Sequence, residues 1–173
     1  MNKTTLIGST ALLAALASPV LAADLSISVE IPRVNTAAYH RPYVAIWIEQ
    51  PDQTALRTLA VWYQVAAGRG GDGEGKDWLK DLRTWWRKGG RALTLPADGL
   101  SGATRAPGTQ TVRVPAGRLT NLPAGQYNVV IEAAREQGGR EIVRVPFRWG
   151  GPAGRTTVAG STELGAVTVI VTR

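Results

Sequence analysis

Leu25-Ser26-Ile27-Ser28-Val29-Glu30-Ile31 alternates apolar and polar side chains without interruption. That period of two belongs to a strand with one face buried and the other in water. It constrains the chain more than any other feature, because strands must find sheet partners, and similar segments recur to the C-terminus. Tyr43–Glu49 is β-branched and aromatic, begins after Pro42 and stops before Pro51. Leu56–Tyr63 follows, joined to it by Gln50–Thr54, a stretch with hairpin-loop chemistry. Thr109–Val114, Gly125–Ala134, Glu141–Trp149 and Gly165–Thr172 complete the set. Glu136-Gln137-Gly138-Gly139 reads as a hairpin turn whose two glycines take positive φ. Short strands punctuated by Gly and Pro indicate an all-β fold, an immunoglobulin-like antiparallel β-sandwich.

One segment breaks the pattern. After the glycine-rich stretch 68–75, Trp78, Leu79, Leu82, Trp85 and Trp86 recur at the helical period and predict one short amphipathic helix inserted in the sandwich. Asp77 and Asp81 lie toward its start and Arg83, Arg87 and Lys88 toward its end, as the helix dipole favours. Gly89-Gly90 ends it.

Residues 1–22 read as a secretory signal. Lys3 supplies the positive start, Leu6–Ala17 a short apolar stretch, Pro19 a helix break, and Val20-Leu21-Ala22 the small side chains before a cleavage point. The apolar run is too short for a membrane anchor. The expected organisation is therefore a signal over 1–22 and a single sandwich domain over 23–173, exported to the periplasm. Net charge is +7 with the signal and about +6 without it. This basic balance suits phosphates or an acidic partner, and export argues against nucleic acid. The sequence holds no Cys and one His. That excludes disulfides, thiol nucleophiles, iron–sulfur clusters and the multi-His metal motifs, so no metal site is expected.

Asp98-Gly99-Leu100-Ser101-Gly102-Ala103-Thr104 resembles the recognition motif for covalent flavinylation: Asp, two open positions, Ser or Thr, Gly, Ala, then Thr or Ser. The resemblance implies that the Thr104 hydroxyl is joined to FMN through a phosphoester by a periplasmic flavin transferase that takes the FMN unit from FAD. Asp98, Ser101, Gly102 and Ala103 would then belong to the recognition site. The neighbouring residues agree with that chemistry. Pro96, Gly99, Gly102, Pro107 and Gly108 place Thr104 on a loop, Gly102 and Ala103 leave little bulk beside it, and Arg105 can pair with an attached phosphate. A glycine-rich turn with an incidental Ser and Thr reads the same letters without function.

Six tryptophans serve mainly as core, although Trp85 and Trp86 are candidates to stack on a flavin ring or to form a partner surface. His40, in Tyr39-His40-Arg41-Pro42-Tyr43, lacks the partners for a metal site and reads as a surface or hydrogen-bonding residue. There is no nucleophile-elbow spelling and no P-loop, and no catalytic residue is assigned.

Past the signal, H-R-P-Y-V-A-I-W-I-E, R-T-L-A-V-W-Y, W-L-K-D-L-R-T-W-W-R, S-G-A-T-R-A-P-G and A-G-Q-Y-N-V-V-I-E-A-A-R-E-Q-G-G-R-E resemble the bacterial periplasmic family known as domain of unknown function 2271. The resemblance implies a setting beside PepSY-type membrane reductases and flavin transferases, hence extracytoplasmic electron transfer, with a link to iron assimilation. Two expectations follow. One is an electron carrier with FMN on Thr104, working with a membrane-bound reductase. The other is a cofactor-free interaction module that docks a partner on the Trp-rich helix face. An enzyme acting on a small substrate ranks last.

Overall fold

The alternation of Leu25, Ile27, Val29 and Ile31 becomes β1 (Leu25–Ile31), with all four side chains in the core. The computed structural model describes residues 24–65 and 75–172. The expected signal lies outside the described residues, as does most of the stretch 68–75. The other strands are β2 (Tyr43–Glu49), β3 (Ala55–Tyr63), β4 (Ser101–Ala103), β5 (Gly108–Val114), β6 (Gly125–Ala134), β7 (Arg140–Trp149), β8 (Gly154–Ala159) and β9 (Ala166–Val171). They form two sheets, ordered β5-β1-β9-β8 and β4-β3-β2-β6-β7. This is the expected all-β sandwich, compatible with the immunoglobulin-like reading. The Tyr127 hydroxyl even donates to the Pro123 carbonyl at 2.9 Å, the kind of corner contact such sandwiches use.

Two strands were not legible, and one of them departs from the antiparallel rule: β4 pairs with β3 in parallel, Val61 opposite Ser101 and Tyr63 opposite Ala103. The Glu136–Gly139 turn is present, but its positive φ falls on Gln137 (53°) and not on the glycines. These glycines serve close approach instead. A Cβ on Gly138 would overlap the Arg135 guanidinium, and one on Gly139 would lie 2.8 Å from Glu163 Oε1. Arg135 and Glu163 form a bidentate pair at 2.8 and 3.0 Å, with the Gly139 N–H donating to the same carboxylate at 2.7 Å.

The main core lies between the sheets. β2 sends Val44, Ile46 and Ile48 into it, β6 sends Val129, Ile131 and Ala133, and β1 meets them from the other sheet. A second core lies on the outer face of the five-stranded sheet, where Ala45, Trp47, Val61, Tyr63 and Val130 are covered by Leu79, Leu82 and Trp85. This explains why Tyr43–Glu49 reads as nearly continuous apolar sequence. Both of its faces are buried.

The cover is not the single helix that the period predicts. Gly75–Asp81 is 3-10 helix, α1 spans only Arg83–Arg87, and Gly90–Ala92 is 3-10 again. The change of pitch rotates Trp78 outward, leaving it 54% exposed. Asp77 and Asp81 precede α1, so they are not its N-terminal acids. That role falls to Glu132 of β6, which is fully buried and accepts the Thr84 and Trp85 N–H groups at 3.0 and 2.7 Å. Leu82 at the cap position has no side-chain acceptor, so the strand caps the helix. Arg140 completes the site at 2.7 Å. The other end is fixed the same way. Buried Glu49 accepts from Trp47 Nε1 at 2.9 Å, Lys88 at 2.5 Å and Arg144 at 3.1 Å. Gly89 (φ 135°) ends α1, and Gly90 lets the backbone pass over the Trp85 ring, where a Cβ would sit 2.6 Å from the indole.

A third carboxylate holds the β8–β9 connection. Glu141 accepts N–H groups of Ser161, Thr162, Glu163 and Leu164 at 2.6–2.9 Å, as well as the Ser161 and Thr162 hydroxyls. Burial pushes its pKa up, but the Thr162, Leu164 and Ser161 donors outweigh this and hold it at about 2, below the usual 4.5.

Glu132→Ala strands two buried helix N–H groups and should cost about 3 kcal/mol in urea unfolding. An unchanged midpoint would contradict the capping role. Glu141 titrates lower in the folded chain than in the unfolded one. Its contribution is therefore complete above about pH 4.5 and lost as pH falls through about 2. Glu141→Gln should lower Tm at neutral pH, and the gap to the parent chain should close on acidification to about pH 2.

Candidate functional site

The flavinylation-like motif forms the corner where the chain leaves one sheet for the other. It starts at a closed turn. The Ala97 carbonyl accepts the Leu100 and Ser101 N–H groups at 3.2 and 2.9 Å, and Ser101 Oγ accepts the Ala97 N–H at 3.0 Å. Gly99, with φ of 70°, takes the left-handed position that the turn requires. Asp98, at the tip, is exposed. Arg118 staples the turn to the sheet, donating to Gly99 O at 2.9 Å and to Leu59 O at 3.1 Å. Arg57 in turn donates to the Arg118 carbonyl.

Ser101, Gly102 and Ala103 then form the edge strand β4, bonded to β3 by Val61 N–H to Leu100 O at 2.8 Å. Thr104 lies outside any strand, as expected, but the three residues before it are strand. Backbone pairing with β3 turns them into strand, a non-local bond that no local spelling announces. Thr104 is half-buried and outside any strand, Arg105 is exposed, and the chain enters β5 of the opposite sheet at Gly108 (φ 124°).

The two motif hydroxyls are therefore unlike. Ser101 Oγ is engaged in closing the turn. Among the described residues, no hydrogen bond engages the Thr104 hydroxyl and no ion pair engages Arg105. The guanidinium carbon of Arg105 lies 5.4 Å from the centroid of the Trp62 ring. A free hydroxyl with small neighbours, one residue from an unpaired guanidinium, fits a phosphoester: one group can bond the phosphorus, the other can neutralise its oxygens.

The tryptophans are mainly core, as expected, with Trp86 and Trp149 partly buried against it. Trp47, Trp62 and Trp85 are buried. Trp85 donates through Nε1 to Thr58 Oγ1 at 3.0 Å, and Trp86 is half-buried against it with ring centroids 6.3 Å apart. Trp85 is thus turned onto the sheet, which withdraws it from both a flavin and a partner, while Trp78 faces outward. The tryptophan beside the motif is instead Trp62, whose backbone pairs with Gly102 through the parallel ladder. Trp47, Leu56, Thr58, Trp85, Lys88 and Leu93 line a cleft of about 170 Å³ at the start of β3. Thr104 sits beyond the other end of β3, roughly 20 Å away by strand rise. His40 pairs with Glu136 at 3.3 Å on the surface, and no group of metal-ligating side chains occurs among the described residues. No helix among them is long and apolar enough to cross a membrane.

Residues 24–166 match the family described as "Predicted periplasmic protein (DUF2271)", and the chain belongs to that family. Neither a curated protein nor a solved structure gives a match. The corner itself makes a prediction. Ser101→Ala removes the bond to the Ala97 N–H and should cost about 1 kcal/mol in chemical denaturation. Thr104→Ala, whose hydroxyl has no partner, should leave the midpoint within about 0.5 kcal/mol of the parent.

Proposed function

From membership of this periplasmic family as premise, we propose that the protein is a flavin-carrying electron-transfer protein with FMN attached to Thr104. The observation that carries the reading is the pairing of a complete flavinylation-like motif with a Thr104 hydroxyl that makes no hydrogen bond. Residues 1–22 act as the export signal and 23–173 as the mature domain. A flavin transferase is the partner that modifies it. The Thr104 oxygen bonds the phosphorus of the FMN half of FAD, the bond from that phosphorus to the bridging oxygen breaks, AMP leaves, and the hydroxyl proton passes to a base of the transferase. FMN supplies the redox chemistry when bound.

The chain's own residues do the rest. Ser101 and Arg118 fix the turn, so the acceptor hydroxyl is presented on a rigid edge. Gly102 and Ala103 keep side-chain bulk away from the transferase. Asp98, exposed at the tip, is available to it as a recognition residue. Arg105 pairs with the attached phosphate, and the basic balance of the chain favours the reduced, anionic cofactor. A PepSY-like membrane reductase is the electron donor that fits the family's setting, with iron assimilation as the process served.

Coexpression with a flavin transferase should yield a yellow protein whose colour survives denaturation and gel filtration. Ser101→Ala should retain colour at reduced yield, Thr104→Ser should retain it, and Thr104→Ala should be colourless. A coloured Thr104→Ala protein, or a colourless parent, would overturn the assignment.

A further inference from the structure

Arg105 is held in an unusual way for a surface cation. Among the described residues it has no carboxylate partner and no hydrogen bond. It rests instead on the face of Trp62, 5.4 Å from guanidinium carbon to ring centroid, within the range of a cation–π interaction. Trp62 is itself fixed. It is 3% exposed and belongs to the core between the sheets, and its backbone pairs with Val44 on one side and Gly102 on the other. A side chain so enclosed cannot follow the arginine, so the arginine is parked on an immobile platform.

Gly102 occupies the angle between the two. A Cβ there would lie 3.4 Å from Trp62 Cδ1 and 3.6 Å from Arg105 Nη2. A methyl group would touch both without displacing either, but anything longer would enter the space between indole and guanidinium. Stacking on a ring face leaves the N–H donors at the guanidinium's edge unused. Arg105 follows Thr104 directly in the chain.

We infer that Trp62 is a positioning residue, whose buried indole holds the Arg105 guanidinium beside Thr104 as a seat for a phosphate group that exists before any cofactor is attached. This deepens the proposed function and rests on it for the identity of the natural phosphate, that of FMN. The seat itself is a property of the unmodified chain. Trp62 does not touch the reacting atoms; it acts through Arg105.

The test uses the full unmodified chain, labelled with nitrogen-15, and inorganic phosphate against chloride at equal ionic strength. The indole N–H signal of Trp62 and the Nε–H signal of Arg105 should move together and saturate at millimolar phosphate. Arg105→Gln should abolish the effect. Trp62→Leu should weaken phosphate binding about fivefold, and Trp62→Phe, which keeps an aromatic face, should restore most of it. Gly102→Val removes no core side chain, so it keeps the test decisive if Trp62→Leu fails to fold. It wedges the pair apart and should weaken binding to a similar degree. No saturable shift, or a Gly102→Val or Trp62→Leu chain that binds phosphate like the parent, would overturn the inference. Because no flavin is involved, a failure here is separable from a failure of flavin attachment at Thr104, which is read from protein colour alone.

Discussion

β2 and β3 carry apolar side chains on both faces of the five-stranded sheet, and the structure depends on how the outer face is covered. A run of only five α-helical residues between two 3-10 segments could not hold itself together in water. It is held by two carboxylates that rise from the sheet beneath it. Glu132 caps the helix through the N–H groups of Thr84 and Trp85, and Glu49 binds Lys88 near its C-terminal end. Each buried charge is matched by cations, Arg140 for the first and Lys88 with Arg144 for the second. That pairing is what makes fully buried glutamates tolerable. With the cover in place, β2 and β3 become a rigid, doubly buried floor.

The candidate site uses that rigidity. β4 is three residues long and would not persist alone, but it borrows the order of β3 through one ladder and through Arg118. The same strand that lends its backbone also supplies Trp62, so the presentation of Thr104 and the parking of Arg105 have a common origin. Because the corner joins the two sheets, it has support on both sides while its tip stays in solvent.

Much of the fold was legible because it is written in period two. β1, β2, β3, β5, β6, β7 and β9 fall where the alternation or the apolar runs put them. β8 (Gly154–Ala159) was missed because none of its residues is buried, so nothing in its composition separates it from a loop. β4 was missed because three motif residues form a strand only by pairing with β3. The helix was overextended. The period of Trp78, Leu79, Leu82, Trp85 and Trp86 fits one α-helical face, but the backbone tightens to 3-10 over Gly75–Asp81 and turns Trp78 outward. Of the site, Thr104 and the motif came from spelling. Trp62 and Arg118 did not, since their roles lie in contacts across 40 residues and 19 residues of chain to Gly102 and Gly99.

The proposed function turns on chemical attachment at one named oxygen. Tandem mass spectrometry of peptides from the protein coexpressed with a flavin transferase reads it directly. The expected result is FMN, less the elements of water, on Thr104 alone. An unmodified Thr104 peptide, or FMN carried by Ser101 or any other hydroxyl, would contradict it.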